Sequence, residues 1–177
     1  MSDLMTRNEY GALIEPATFE IQRLLPGPIE RCWAWLTDSD LRRQWLAAGT
    51  MDLKVGAPFE LVWRNNELTD PPGQRPDGFG EEHRLQSRII ALEPLRKLSF
   101  AWHGDGEVTF ELEPRGGEVL LTVTHRRLPD PTVALNVSAG WHAHLDLLVA
   151  RANDERPQPF WDSWLQLKQD YAAHLPA

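Results

Sequence analysis

An α+β domain is predicted: an antiparallel sheet that wraps helices, with two short helices after the first strand and a long helix near the C-terminus. Three observations predict it. Between residues 18 and 125, apolar side chains alternate in successive short segments, and most of these are joined by tight turns. Connections of that kind favour sequential antiparallel neighbours, hence a meander. Helical spacing appears after the first strand and again beyond residue 130. Finally, eight tryptophans (Trp33, Trp35, Trp45, Trp63, Trp102, Trp141, Trp161 and Trp164) are spread along the chain, and a fold must gather them into a core or around a cavity.

Residues 1–17 are read as an N-terminal arm and 18–177 as a single domain. In residues 18–25, TFEIQRLL, Phe19 and Ile21 alternate with Glu20 and Gln22, which marks a strand. Pro26-Gly27 ends it, and Pro28 suits the first turn of a helix, where its missing N–H costs nothing. Ile29, Cys32, Trp33 and Leu36 then form one helical stripe. Asp38 or Ser39 caps a second short helix with Leu41, Trp45 and Ala48 on one face.

The remaining strands follow in order. Residues 58–64 place Phe59, Leu61 and Trp63 on one face, and residues 83–92 form a longer strand closed by Glu93-Pro94. Leu98, Phe100 and Trp102 alternate before the turn Gly104-Asp105-Gly106. Val108, Phe110 and Leu112 alternate up to a hairpin turn at Arg115-Gly116-Gly117-Glu118, after which Leu121, Val123 and His125 share a face with Val119. Val137, Trp141, His144, Leu145 and Leu148 mark the long helix. Residues 153–159, NDERPQP, break the pattern before a last helix with Phe160, Trp164, Leu167 and Tyr171 on one face. Residues 65–82 form a long loop rich in Pro, Gly and charge, of the length that often serves a site or stays disordered.

Composition excludes several functions. The net charge of -8, with only short basic pairs at Arg42-Arg43 and Arg126-Arg127, argues against nucleic acid and against an anionic membrane surface. No apolar run approaches the ~20 residues that cross a bilayer, and MSDLMTRNEY does not read as a signal peptide, so a cytoplasmic location is expected. Cys32 is the single cysteine, which rules out an intrachain disulfide and predicts a buried, inert thiol. No GxSxG, phosphate-cradling or dinucleotide motif occurs. His142 and His144 diverge by about 200° on a helix and cannot chelate together, so no metal and no cofactor is expected.

Several segments carry a family resemblance. They are Pro28 to Asp38 (PIERCWAWLTD) with Leu41-Arg42-Arg43-Gln44-Trp45, Leu92-Glu93-Pro94 with Leu98-Ser99-Phe100-Ala101-Trp102, Leu121 to His125 (LTVTH), and Gly140 to Asp146 (GWHAHLD). In this order they resemble the activator of heat-shock-protein-90 ATPase homologue branch of the START-like (SRPBCC) superfamily. The resemblance implies the helix-grip fold, in which a curved antiparallel sheet of about seven strands closes around the long C-terminal helix. It is specific for fold and not for activity, since members of the superfamily bind lipids, act as receptors or enzymes, or regulate chaperones.

In that fold, strand parity turns Phe59, Leu61, Trp63, Phe100, Trp102, Phe110, Leu121 and Val123 toward the helix, which answers with Trp141, Leu145 and Leu148. These are the candidate ligand contacts, and they are equally what a solid core needs. His125 and His144 lie in phase with them, either to orient a polar group or exchange a proton, or to satisfy backbone carbonyls. Trp33 and Trp45 are expected to anchor the first helices, Trp161 and Trp164 to dock the last, and Trp63, Trp102 and Trp141 to wall a cavity. Three functions fit: a binding module for a small hydrophobic or aromatic molecule, a surface-acting regulator of a chaperone-type ATPase, and a cyclase or lyase using the two histidines.

Overall fold

A computed structural model of the chain describes residues 10–15, 17–76 and 80–174. Seven strands form one curved antiparallel sheet. They are β1 (Ala12–Glu15), β2 (Thr18–Pro26), β3 (Pro58–Trp63), β4 (His83–Glu93), β5 (Lys97–Ala101), β6 (Glu107–Arg115) and β7 (Glu118–Arg126). Their order in space is β1-β2-β7-β6-β5-β4-β3. The last five are therefore the meander that the short turns predict, and β2 pairs with β7 to complete it.

Turn chemistry sets the registers. Arg115 faces Glu118 across the β6–β7 hairpin, leaving a two-residue turn with Gly116 at φ 63°, a conformation that favours glycine. In β4 the pairing shifts between Ile89 and Ala91, an irregularity of the kind that bends and twists a sheet. The arm read over residues 1–17 is in part structured. Residues 1–9 lie outside the described residues, but Leu13 pairs with Phe19 and Ala12 with Glu20, so β1 adds an edge strand. Four residues are too few to show a strand period; only their pairing with β2 identifies them.

Helix α1 (Ile29–Thr37) follows Pro28 and buries Cys32, Trp33, Trp35 and Leu36. The Asp38 carboxylate then accepts from the N–H groups of Asp40 and Leu41 and starts α2 (Ser39–Arg42). Spacing predicts this helix to run on through Trp45 and Ala48; the structure ends it at Arg42, and Ala48 pairs instead with Val62 of β3. The reason is the Arg42 side chain. Its guanidinium is fully buried and donates to the carbonyls of Leu36, Ala47 and Gly49, winding residues 43–49 around itself.

Helix α3 (Pro131–Ala152) starts on an Asp130 cap and packs on β2 and on α4 (Phe160–His174). One hydrophobic cluster fills the space between sheet and helices. Phe59, Leu61, Phe100, Phe110, Leu121 and Val123 from the sheet, with Leu145 and Leu148 from α3, are each at most 6% exposed.

Candidate ligand-binding cleft

Trp63 ends β3, and Trp102 lies one residue past the end of β5, so both indoles stand at the same end of the sheet. Their rings meet edge to face with centroids 5.5 Å apart, and Trp102 lies 5.9 Å from Trp141 of α3. Between this wall and the start of α4 opens a cleft of about 350 Å³, within the range of small-ligand sites. Phe160, Trp161 and Trp164 of α4 form its far side, and Asn65, Asn136 and residues 80–83 add polar groups. Gly140 forms part of the lining on α3; a Cβ there would stand 4.0 Å from Trp164 Nε1, so its missing side chain is open space rather than a steric necessity.

The two histidines take different places. His144 lines the cleft, and its Nδ1 lies 2.8 Å from the Trp45 carbonyl. A carbonyl only accepts, so Nδ1 carries the proton and Nε2 keeps a lone pair. Burial pushes the pKa of His144 down to about 4, against the pull of that carbonyl, and the ring is neutral near pH 7. His125 lies one layer behind. Its Nδ1 accepts from Trp141 Nε1–H at 3.0 Å, and its ring sits 4.9 Å from that of Trp102. Burial, then the neighbouring His103, lowers its pKa to about 4. The two imidazoles are therefore opposite tautomers serving different partners, and they do not form an acid–base pair.

Of the candidate contacts named from sequence, Trp63, Trp102, Trp141 and His144 line the cleft. His125 supports its wall from behind. Phe59, Leu61, Phe100, Phe110, Leu121, Val123, Leu145 and Leu148 fill the solid core and are not part of the lining. Trp161 and Trp164, expected to dock the last helix, do so and also face the cleft. Sequence reasoning also missed Asn65, Asn136 and Gly140. The adjacent pair Phe160-Trp161 with Trp164 was the available signal, because it makes an aromatic stripe too wide for one packing seam.

The long loop is tied to α4. Phe160 N–H donates to Thr69 Oγ1, Trp161 N–H to the Pro72 carbonyl, Trp161 Nε1–H to Asn66 Oδ1, and Gln74 N–H to Asp162 Oδ1. Its far end brings Gly80, Glu81 and Glu82 to the rim of the cleft. Residues 77–79 lie outside the described residues.

On the opposite side of α3 runs a second polar chain. His142 Nδ1 and Tyr171 Oη are 2.8 Å apart, Tyr171 Oη accepts from Gly11 N–H, and His142 Nε2 lies 3.5 Å from Asp146, which pairs with the buried Arg23. None of the cleft residues belongs to it. Among the described residues, no three His, Cys, Asp or Glu side chains are grouped to hold a metal ion. Cys32 is buried, and desolvation raises its thiol to about 11. No described helix is long and apolar enough to cross a membrane.

Comparison with known proteins agrees with this architecture. A family model described as activator of Hsp90 ATPase homolog 1-like protein matches residues 26–153. An NMR structure of a Bordetella parapertussis protein is similar at 37% identity and TM-score 0.79, covering 95% of this chain and 91% of that one. The fold alone is shared with CalU16 of Micromonospora echinospora, at 20% identity, TM-score 0.65 and 93% coverage of both chains. It is shared likewise with a conserved protein of unknown function from Enterococcus faecalis, at 19% identity and TM-score 0.66, covering 93% and 88%. No curated protein matches the sequence. With more than half its length matched and a close structural relative spanning nearly all of it, the chain belongs to the activator of Hsp90 ATPase homolog 1-like family, on the START-like (SRPBCC) fold.

Proposed function

We propose that this protein is a binding module for a small apolar or aromatic molecule, held in the cleft between the sheet end, α3 and α4. The observation that carries the reading is the tryptophan wall left open at Gly140. A mid-helix glycine costs roughly 0.5–1 kcal/mol relative to alanine. Here it leaves room beside five indoles and Phe160 instead of relieving a clash. Aromatic surface with a few placed polar groups is what small-ligand sites use. The neutral, separately engaged histidines favour binding over proton transfer.

Gly140→Ala is expected to raise stability by about 0.5–1 kcal/mol, whereas Gly140→Leu fills the cleft. Native mass spectrometry of gently purified protein should show a copurifying small molecule in the wild type and none in Gly140→Leu. A wild type that carries nothing, together with Gly140→Leu that leaves binding of aromatic probes unchanged, overturns the reading.

The family match favours a second reading, regulation of a chaperone-type ATPase through surface contacts. Steady-state ATPase rates with the host chaperone test it. Stimulation that persists in Gly140→Leu would assign that role to the surface; no stimulation and no pull-down would remove it.

A further inference from the structure

The cleft holds buried acceptors that lack a donor. Three of its N–H donors already point elsewhere: Trp141 Nε1 to His125, Trp161 Nε1 to Asn66, and His144 Nδ1 to the Trp45 carbonyl. Beside the indole N–H groups of Trp63 and Trp102 and the amide N–H groups of Asn65 and Asn136, three acceptors remain. His144 keeps the lone pair on Nε2. The side-chain oxygens of Asn65 and Asn136 are buried without a hydrogen-bond partner, and both residues line the cleft. A buried polar atom without a partner is costly, roughly 1–3 kcal/mol, and a ligand N–H removes that cost.

Charge points the same way. Among the described residues lining the cleft there are two carboxylates, Glu81 and Glu82, and no lysine or arginine. Two guanidinium groups next in sequence to lining residues are engaged: Arg64 with Glu82, and Arg84 with both Glu82 and Glu60. A carboxylate, sulfate or phosphate on a ligand would meet no unengaged cation among the described lining residues and would face the Glu81 carboxylate, whereas Glu82 is already compensated by the two arginines. A cation would meet π faces, which attract it electrostatically. The protein already uses that attraction at its edge, where Lys168 Nζ sits 5.3 Å from the centre of the Trp164 ring. The wall of Trp63, Trp102 and Trp141 is left for an incoming cation.

We propose, resting on the binding role above, that the cleft selects aromatic amines: a flat ring against Trp63, Trp102 and Trp141, and a protonated nitrogen that donates to His144 Nε2 and the Asn65 and Asn136 oxygens. It rejects the corresponding acids. The ligand class is thus cationic or donor-rich aromatics, not fatty acids or other anionic lipids.

Three probes sharing one ring separate the possibilities: naphthylmethylamine, naphthylmethanol and naphthoate, titrated by calorimetry and by indole N–H NMR shifts at neutral pH. The amine should bind at least about tenfold more tightly than naphthoate, with the alcohol between them, as expected from a cation–π contribution of about 1–2 kcal/mol. Asn136→Leu should leave the folding midpoint unchanged or higher, because it deletes an unpartnered polar atom, and should weaken the amine about fivefold. Naphthoate binding as tightly as the amine overturns the selectivity while leaving the cleft a ligand site. Failure of all three to bind the wild type overturns the binding role as well.

Discussion

Arg42 and Arg43 are neighbours in sequence and opposites in the fold. Arg43 is largely exposed beside Asp40, whereas Arg42 is fully buried with three carbonyl partners. Desolvation lowers its pKa to about 10, and Asp38 partly restores it, so the group stays charged at neutral pH. A planar fork reaching Leu36, Ala47 and Gly49 at once is not reproduced by an ammonium. Arg42→Lys should therefore destabilise the fold by about 2–3 kcal/mol, read as a shift of the denaturant midpoint with little change in its slope. From sequence the two arginines form a basic pair, because nothing local distinguishes a cation turned inward from one turned out. The histidines posed the same difficulty. Strand and helix phase put His125 and His144 on inward faces, but which imidazole meets the cleft depends on Trp102 and Trp141, which come between.

At the scale of elements, periodicity carried the strands and helices whose side chains repeat, and failed where one contact decides. Six strands and the long helix show their own alternation. β1 does not; it is held by pairing with β2 and by the Tyr171 hydroxyl, which accepts from Gly11 N–H and bonds His142. Tyr171→Phe removes both bonds in a buried place, at a cost of about 1–3 kcal/mol. Amide exchange over residues 11–15 should speed up selectively, while β6 and β7 keep their protection. Uniform exchange changes would show that the hydroxyl supports the whole fold rather than this edge. α4 was legible as a helix from Phe160, Trp164, Leu167 and Tyr171. Its share in the cleft was not, because a loop that returns from Asn65 to His83 decides which of its aromatic residues stay uncovered.

For the whole molecule, the buried titratable groups fix the response to acid. Burial lowers His125 and His144 to about 4 and His142 to about 3, from an ordinary value of 6.5. For a base whose folded pKa is depressed, stability is complete above 6.5 and is lost as pH falls toward the folded pKa, because the unfolded chain takes up the proton first. Asp146 acts oppositely. Desolvation raises it to about 6 despite Arg23, so it favours the fold below 3.8 and loses that contribution as pH rises through 6. The Asp146 side chain is 41% exposed, so solvent screening reduces its share, and the three histidines leave a net loss on acidification of roughly 3 kcal/mol per pH unit between pH 6 and pH 4.5. The melting midpoint should be flat from pH 7 to 8 and fall steeply below 6.5. A midpoint unchanged down to pH 5 would mean the imidazoles are hydrated. The START-like architecture was readable because its segments, in their order, resemble that superfamily, whereas the short turns by themselves implied only an antiparallel meander. The burial that sets these pKa values was not, since it depends on which side of α3 each histidine takes.

The tryptophan wall has an optical consequence. Indole rings at 5.5 and 5.9 Å are near enough for their electronic transition dipoles to couple, so Trp63, Trp102 and Trp141 absorb as a set rather than singly. Coupled transitions give paired bands of opposite sign in circular dichroism. A molecule wedged among them changes the angles between the dipoles, and a shift of Trp102 by a fraction of an ångström alters the bands on both sides of it. The chain thus carries a built-in chromophore triad at its cleft, through which entry of a guest can be followed without a label.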